Sequence, residues 1–175
     1  MRELFTIDKK NYIENGTVGK RPSVRGIIIR DNTIAMMHSL KYDYYKLPGG
    51  GIEEGESLEE TLIREVKEES GLVVKESTIK EFGLVRRIEK GMIEDIFIQE
   101  NYYFLCEAEE EIEEQSLDDY EAEERFTLEF VTVEQVLDVN NNHDHGEKVN
   151  AQTFRGMIDR ENRVLEFVAK EVFEK

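Results

Sequence analysis

Two kinds of apolar pattern alternate along the chain, and each predicts a different element. Apolar runs over 26–29 and 34–37 flank Arg30-Asp31-Asn32-Thr33, which predicts a β-hairpin near the centre of a sheet. Runs over 82–88 and 96–106, separated around Glu89-Lys90-Gly91, predict a second strand pair. Phe126, Leu128 and Phe130 alternate with polar residues, as expected of a strand with one buried face.

Elsewhere the period lengthens. Advancing about 100° per residue, Leu58, Leu62, Ile63 and Val66 fall on one side of a helix. Ser57 and Glu60 are spaced as a capping box at its start, and Gly71 suits the left-handed residue that ends it. Thr132 and Gln135 offer a second capping box, for a short helix to about residue 139. Phe154, Ile158, Leu165, Val168 and Val172 predict a long amphipathic final helix over about 151–174, with Gly156 blurring its start. Strands, helix, strands and further helices in this order predict an α/β fold with a mixed sheet covered on both faces.

A length of 175 residues suits one domain over 1–175, and the chain shows neither a linker nor a repeat. No apolar stretch could cross a bilayer, and the amino terminus lacks a secretory segment, so a soluble cytoplasmic protein is expected. The net charge of −17 repels polyanions and argues against nonspecific nucleic-acid binding. Much of the excess sits in the acidic run 107–124, read here as a solvated loop or exposed strand end. Cys106 is the sole cysteine, and its apolar setting marks a buried thiol rather than a nucleophile.

The candidate chemistry lies on and before the first helix. Glu65, Glu68 and Glu69 form a stripe beside the apolar one, and Glu65 and Glu69, four residues apart, weaken a bare helix by a few tenths of a kcal/mol. A cation in front of the stripe reverses that sign, and Glu56 can approach it from the loop. Converging carboxylates favour Mg²⁺ or Mn²⁺ over zinc, which prefers histidine and cysteine. A glutamate-rich helix is ordinarily just a solvated face, so the preceding loop decides. There Gly49, Gly50 and Gly51 follow the rigid entry Tyr44-Tyr45-Lys46-Leu47-Pro48, and their missing Cβ atoms permit close approach to phosphate or metal. His143, Asp144 and His145 have no other anchored ligand and read as a loop; His38 reads as a core-edge or substrate-pocket residue.

Gly50 through Glu56, seven residues, then Arg64-Glu65-Val66-Lys67-Glu68-Glu69-Ser70-Gly71-Leu72, resembles the motif of the Nudix hydrolase family at every defined position. The resemblance implies an α/β/α sandwich and a metal-dependent pyrophosphohydrolase. Its substrate would be a nucleoside diphosphate linked to another moiety, such as a nucleoside triphosphate or a sugar nucleotide. It implies Glu56, Glu65, Glu68 and Glu69 as Mg²⁺ or Mn²⁺ ligands, with Arg64, Glu68 and Glu69 catalytic and Arg64 orienting a metal-binding glutamate. The general base is Glu69, another helix glutamate, or a glutamate of 118–124 such as Glu124. Specificity comes from outside the motif. Tyr42, Tyr44 and Tyr45 are candidates to stack on a base, and Arg25, Lys41 and Lys46 are candidates to meet phosphate. The expected partner is a small phosphorylated substrate, and the family includes many homodimers. The alternative is a non-catalytic ligand sensor of the same fold.

Overall fold

The computed structural model describes residues 1–151 and 153–174. In chain order, β1 (Glu3–Asp8), β2 (Val18–Lys20), β3 (Ser23–Arg30), β4 (Thr33–Ser39) and β5 (Tyr44–Lys46) lead into helix α1 (Leu58–Ser70). Then follow β6 (Leu72–Val74), β7 (Lys80–Glu89), β8 (Ile96–Cys106), β9 (Ala108–Ile112), α2 (Asp119–Glu124), β10 (Phe126–Val131), α3 (Val133–Asn142) and α4 (Phe154–Val168).

The main sheet has the order β1-β7-β8-β3-β4-β10, with β2 on β8 and β5 on β4, while β6 and β9 pair separately. It is mixed: β3 and β8 run parallel, whereas β3/β4 and β7/β8 are antiparallel. The expected hairpin is present, with Ile29 opposite Ile34, and it lies inside the sheet rather than at an edge. Period-two alternation sends Val24 and Ile28 to one face and Ile27 to the other. On the first face Leu62 and Val66 of α1 complete a core with Phe104 and Cys106. On the second, Val136 of α3 and Val164, Leu165 and Val168 of α4 close over Ile27, Val85 and Tyr103. Helices therefore cover both faces, as the pattern predicts.

Three expectations change in detail. Helix α3 runs to Asn142, three residues past its expected end, and α4 starts at Phe154 because a 3₁₀ turn over Gly146–Asn150 takes up the intervening chain. Gln152, within the expected final helix, lies outside the described residues, and the last turn, Ala169–Phe173, widens to π geometry. The acidic run is solvated only in its first part. Its end forms α2, capped reciprocally by Asp118 and Glu121, and Glu121 and Glu124 are 8% and 5% exposed. They are buried because cations and hydroxyls meet them there. Cys106 is buried as expected, which pushes its thiol up to about 12. Among the described residues no helix is long and apolar enough to cross a membrane.

Candidate active site

Helix α1 is fixed at both ends before it presents any chemistry. The Ser57 side chain accepts the Glu60 amide, Glu60 returns the contact to the Ser57 amide, and Gly71 closes the helix in the left-handed region at φ 77°. With Leu62 and Val66 buried against the sheet, rotation about the axis is fixed, and Arg64, Glu65 and Glu68 face the loop before the helix.

Arg64 gathers that group. Its Nε donates to Glu56 Oε1 at 2.6 Å and its Nη2 to Glu56 Oε2 at 2.8 Å, while Nη1 donates to Glu65 at 2.8 Å and Glu68 at 3.2 Å. Nη2 also reaches the Gly51 carbonyl at 3.2 Å. One guanidinium thus ties two turns of helix to the glycine loop. The Arg64 guanidinium, helped by the Thr61 hydroxyl and the Glu53 amide, holds Glu56 down at about 2. Glu65 is pushed the other way by burial, against the pull of Arg64.

Space in the loop is taken up by these carboxylates. A Cβ on Gly50 would lie 2.2 Å from Glu65 Oε2, so only glycine lets that carboxylate lie against the backbone. Gly49 adopts φ 139°, and a Cβ there would strike the Val24 carbonyl at 2.2 Å. Gly51 has no such neighbour among the described residues, none of which within 4 Å requires its side chain to be absent.

Glu69 stands apart from the other three. It is 1% exposed, accepts the Gly49 amide at 2.8 Å and pairs with Lys46 Nζ at 2.5 Å. Burial pushes it up to about 7, against the pull of the Lys46 ammonium. The sequence reading brings four carboxylates to one point; the structure instead places three around Arg64 and the fourth beneath the loop, because Lys46 faces inward. Two further buried side chains fasten the loop. Glu161 of α4 accepts the Leu47 amide at 2.8 Å, and Asn140 of α3 pairs with both the amide and the carbonyl of Tyr45.

A cavity of about 900 Å³ opens beside this group, lined by Gly49–Gly51, Glu53 and Glu65 at one end and by Arg87, Gln99 and Arg160 at the other. Arg25 lines it and donates to the Gly49 carbonyl. Lys46 lies just beneath, between Glu69 and Glu121, with Tyr120 Oη at 3.0 Å. Burial pushes Glu121 up, but the Lys46 ammonium and the Asp118 amide outweigh it and leave Glu121 below the ordinary carboxylate value.

Other expected site residues lie elsewhere. Tyr44 is buried, donates to Glu124 at 2.7 Å and packs edge-on against Phe126 and Phe154. Tyr45 stacks on His38 and donates to Glu129. Lys41 is exposed and pairs with Glu123. Tyr42 is partly buried, with the Lys41 and Lys148 ammonium groups over its ring. Glu124 is taken up by Tyr44, Ser39 and Lys148 and does not line the cavity, where Glu121 and Tyr120 appear instead. His145 is bonded to the Tyr42 and Asn140 carbonyls, and His143 to Asp43.

Whether these groups suit a divalent cation follows from their charges. Glu56, Glu65 and Glu68 share one guanidinium, leaving an excess of hard, negatively charged oxygen. Among the described residues no three such side chains close into a ready ligand cage. The donor chemistry fits Mg²⁺ or Mn²⁺, with Arg64 holding the carboxylates together.

The NUDIX domain model matches residues 19–153. A curated ADP-ribose pyrophosphatase of Methanocaldococcus jannaschii is 43% identical over 56 residues, which is 30% of this chain and 33% of that protein. The match thus spans about a third of that relative. Among solved structures, the mutator MutT protein from Bacillus halodurans superposes with a TM-score of 0.54 at 22% identity, covering 68% of this chain and 72% of that one. A NUDIX hydrolase from Nitrosomonas europaea gives a TM-score of 0.55 at 14% identity, covering 81% and 87%. These two show the same fold, and the domain match extends well beyond the helix motif on both sides. The chain belongs to the Nudix family.

Proposed function

We propose that the protein is a divalent-metal-dependent hydrolase that cleaves the phosphoanhydride bond of a nucleoside diphosphate linked to another group. The observation that carries this reading is the gathering of Glu56, Glu65 and Glu68 on Arg64, with Glu65 lining a cavity shared with the glycine loop. Glu56, Glu65 and Glu68 would hold the ion, with Glu69 contributing from beneath the loop. Bound there, Mg²⁺ or Mn²⁺ would offset phosphate charge and acidify water.

The chain's own residues do the rest. Arg64 orients Glu56 and Glu65; Arg25, anchored on Gly49, faces the phosphates; Gly49 and Gly50 let backbone and carboxylate come together. Of the glutamates in 118–124 it is Glu121 that lines the cavity, alongside Asp118 and Tyr120, and we assign it the role open to that segment. The likeness to the M. jannaschii protein makes ADP-ribose the first substrate to test.

The test is a panel of nucleoside triphosphates, sugar nucleotides, ADP-ribose and dinucleoside polyphosphates, with Mg²⁺ or Mn²⁺. Turnover that chelator abolishes and that Glu65→Gln and Glu68→Gln each lower supports the reading. Binding of nucleotides without turnover of any of them points to a sensor instead.

A further inference from the structure

The cavity's second end is built from arginines that the chemistry above leaves unused. Arg87 of β7 and Arg160 of α4 are only 3% and 2% exposed, yet both line it. Strand β7 points Val85 and Arg87 to the same face, so a guanidinium occupies what the alternation makes a core position. Such burial is costly unless each charge and donor is met. Arg160 Nη1 donates to Gln99 at 3.1 Å and Asn101 at 2.9 Å, and Nη2 donates to Glu161. Arg87 has Glu89 at 3.1 Å, but Lys9 shares that carboxylate at 2.5 Å. The Nε donors of Arg25, Arg87 and Arg160 are all buried without a partner among the described residues. Burial, and then the facing Arg160, hold the Arg87 guanidinium below its ordinary pKa.

Strand register shows how far this end lies from the glycine loop. Arg25 is level with Tyr103 of β8, and Arg87 is level with Gln99 of the same strand. Two strand spacings across and four residues along separate their Cα atoms by about 16 Å. Their tips are held apart as well, Arg25 on the Gly49 carbonyl and Arg87 on Glu89. Arg160 lies between them, over Gln99 and Asn101. Guanidiniums thus run from the loop across the sheet, and the carboxylates of the motif stand at one end only.

We infer that Arg87 and Arg160 form a second anion subsite, which selects substrates carrying an oxyanion separate from the diphosphate cleaved at the motif. Guanidinium groups bind phosphate or carboxylate oxygens through paired N–H donors, and both arginines line the cavity. The oxyanion is either a further phosphate of a polyphosphate chain or a phosphate ester or carboxylate on the far moiety. The inference rests on the proposed reading only for the placement of the diphosphate.

The first experiment needs no turnover. Inorganic phosphate is titrated into the full chain in the presence of chelator, and the arginine Nε–H resonances are followed by NMR. Saturable shifts at Arg87 and Arg160 are expected, and they persist in Glu65→Gln; their absence at millimolar phosphate overturns the subsite whether or not the protein hydrolyses anything. Conversely, phosphate binding without hydrolysis of any panel member leaves the subsite standing and removes the enzymatic reading.

The second experiment compares kcat/KM for nucleoside diphosphate sugars with and without a phosphate ester, and for dinucleoside polyphosphates of increasing length. Arg160→Gln should lower kcat/KM for the extra-anion substrates about tenfold more than for their counterparts. Arg87→Lys, which keeps the charge but not the fork, should give a smaller change in the same direction. Whichever series responds identifies the source of the oxyanion, and an equal loss across all substrates overturns the proposal.

Discussion

Arg64 grips Glu56 through both carboxylate oxygens, at 2.6 and 2.8 Å, and spends its remaining nitrogen on Glu65 and Glu68. The planar fork makes this possible, and a lysine ammonium, a single nitrogen, cannot span both Glu56 oxygens and the helix carboxylates at once. Arg64→Lys should therefore weaken Mn²⁺ binding by about 10- to 100-fold, the usual cost of losing a group that orients metal ligands. Calorimetric titration of Mn²⁺ checks this directly, and unchanged affinity would detach Arg64 from the carboxylates' function.

The same pair sets an acid limit. With Glu56 held at about 2 by Arg64, its proton is released well below the ordinary carboxylate value of about 4.3. A depressed carboxylate contributes stability that is complete above the unfolded value and is lost as the pH falls through the folded one. Urea midpoints of the native chain and Glu56→Gln should thus differ most near neutral pH and converge as the pH falls from about 4.3 toward 2. A gap that stays constant over that window rules the linkage out.

Beneath the loop, Glu69 and Lys46 are each nearly inaccessible and depend on one another. Glu69→Gln leaves a buried ammonium short of charge, at a cost of about 3 kcal/mol. Lys46→Met combined with Glu69→Gln should recover part of that loss, because no charge is then stranded. Denaturant melts of the two single variants and the double variant give the coupling directly, and additive losses would show that the two residues act independently.

Glycines 49–51 are not equivalent. Gly50→Ala pushes a methyl into the space of Glu65 Oε2, and a displacement of that order should cost about 100-fold in turnover. At Gly51 the space is open, so Gly51→Ala should lose distinctly less. Steady-state kinetics on the two variants decide it; equal losses would mean that the loop's conformation matters rather than its clearance.

Glu124 provides a contrast with the cavity residues. Its carboxylate binds Tyr44, Ser39 and Lys148, so Glu124→Gln should lower stability by about 2 kcal/mol and change kcat/KM little. Glu121→Gln should lower kcat/KM, and stability as well, because Glu121 also caps α2 and faces the Lys46 ammonium. A large loss of kcat in Glu124→Gln, with its melting temperature preserved, would return the candidate base to residue 124.

Local rules carried most of the fold because they agree with one another. Ser57 with Glu60 and Thr132 with Gln135 start helices where their spacing says, and alternation in β3 and β8 sorts the two cores. Asp118 and Glu121 have the same capping spacing but lie inside a run of like charge, so composition masked the helix α2. Arg87 and Glu161 were also within reach: each is a charged residue at a position that strand or helix period assigns to the interior. What spacing could not supply was the long-range pairing. Lys46 turning inward to Glu69, Tyr44 to Glu124 and Glu161 to Leu47 join segments 23, 80 and 114 positions apart, and only the assembled sheet brings them together.

Arg160 and Glu161 are neighbours in sequence, yet one belongs to the cavity floor and the other holds the Leu47 amide at the entrance to the glycine loop. They are also bonded to each other at 2.8 Å. Any shift of that helix turn moves both attachments at once. The far end of the cavity and the loop beside the carboxylates are therefore anchored on one and the same turn of helix.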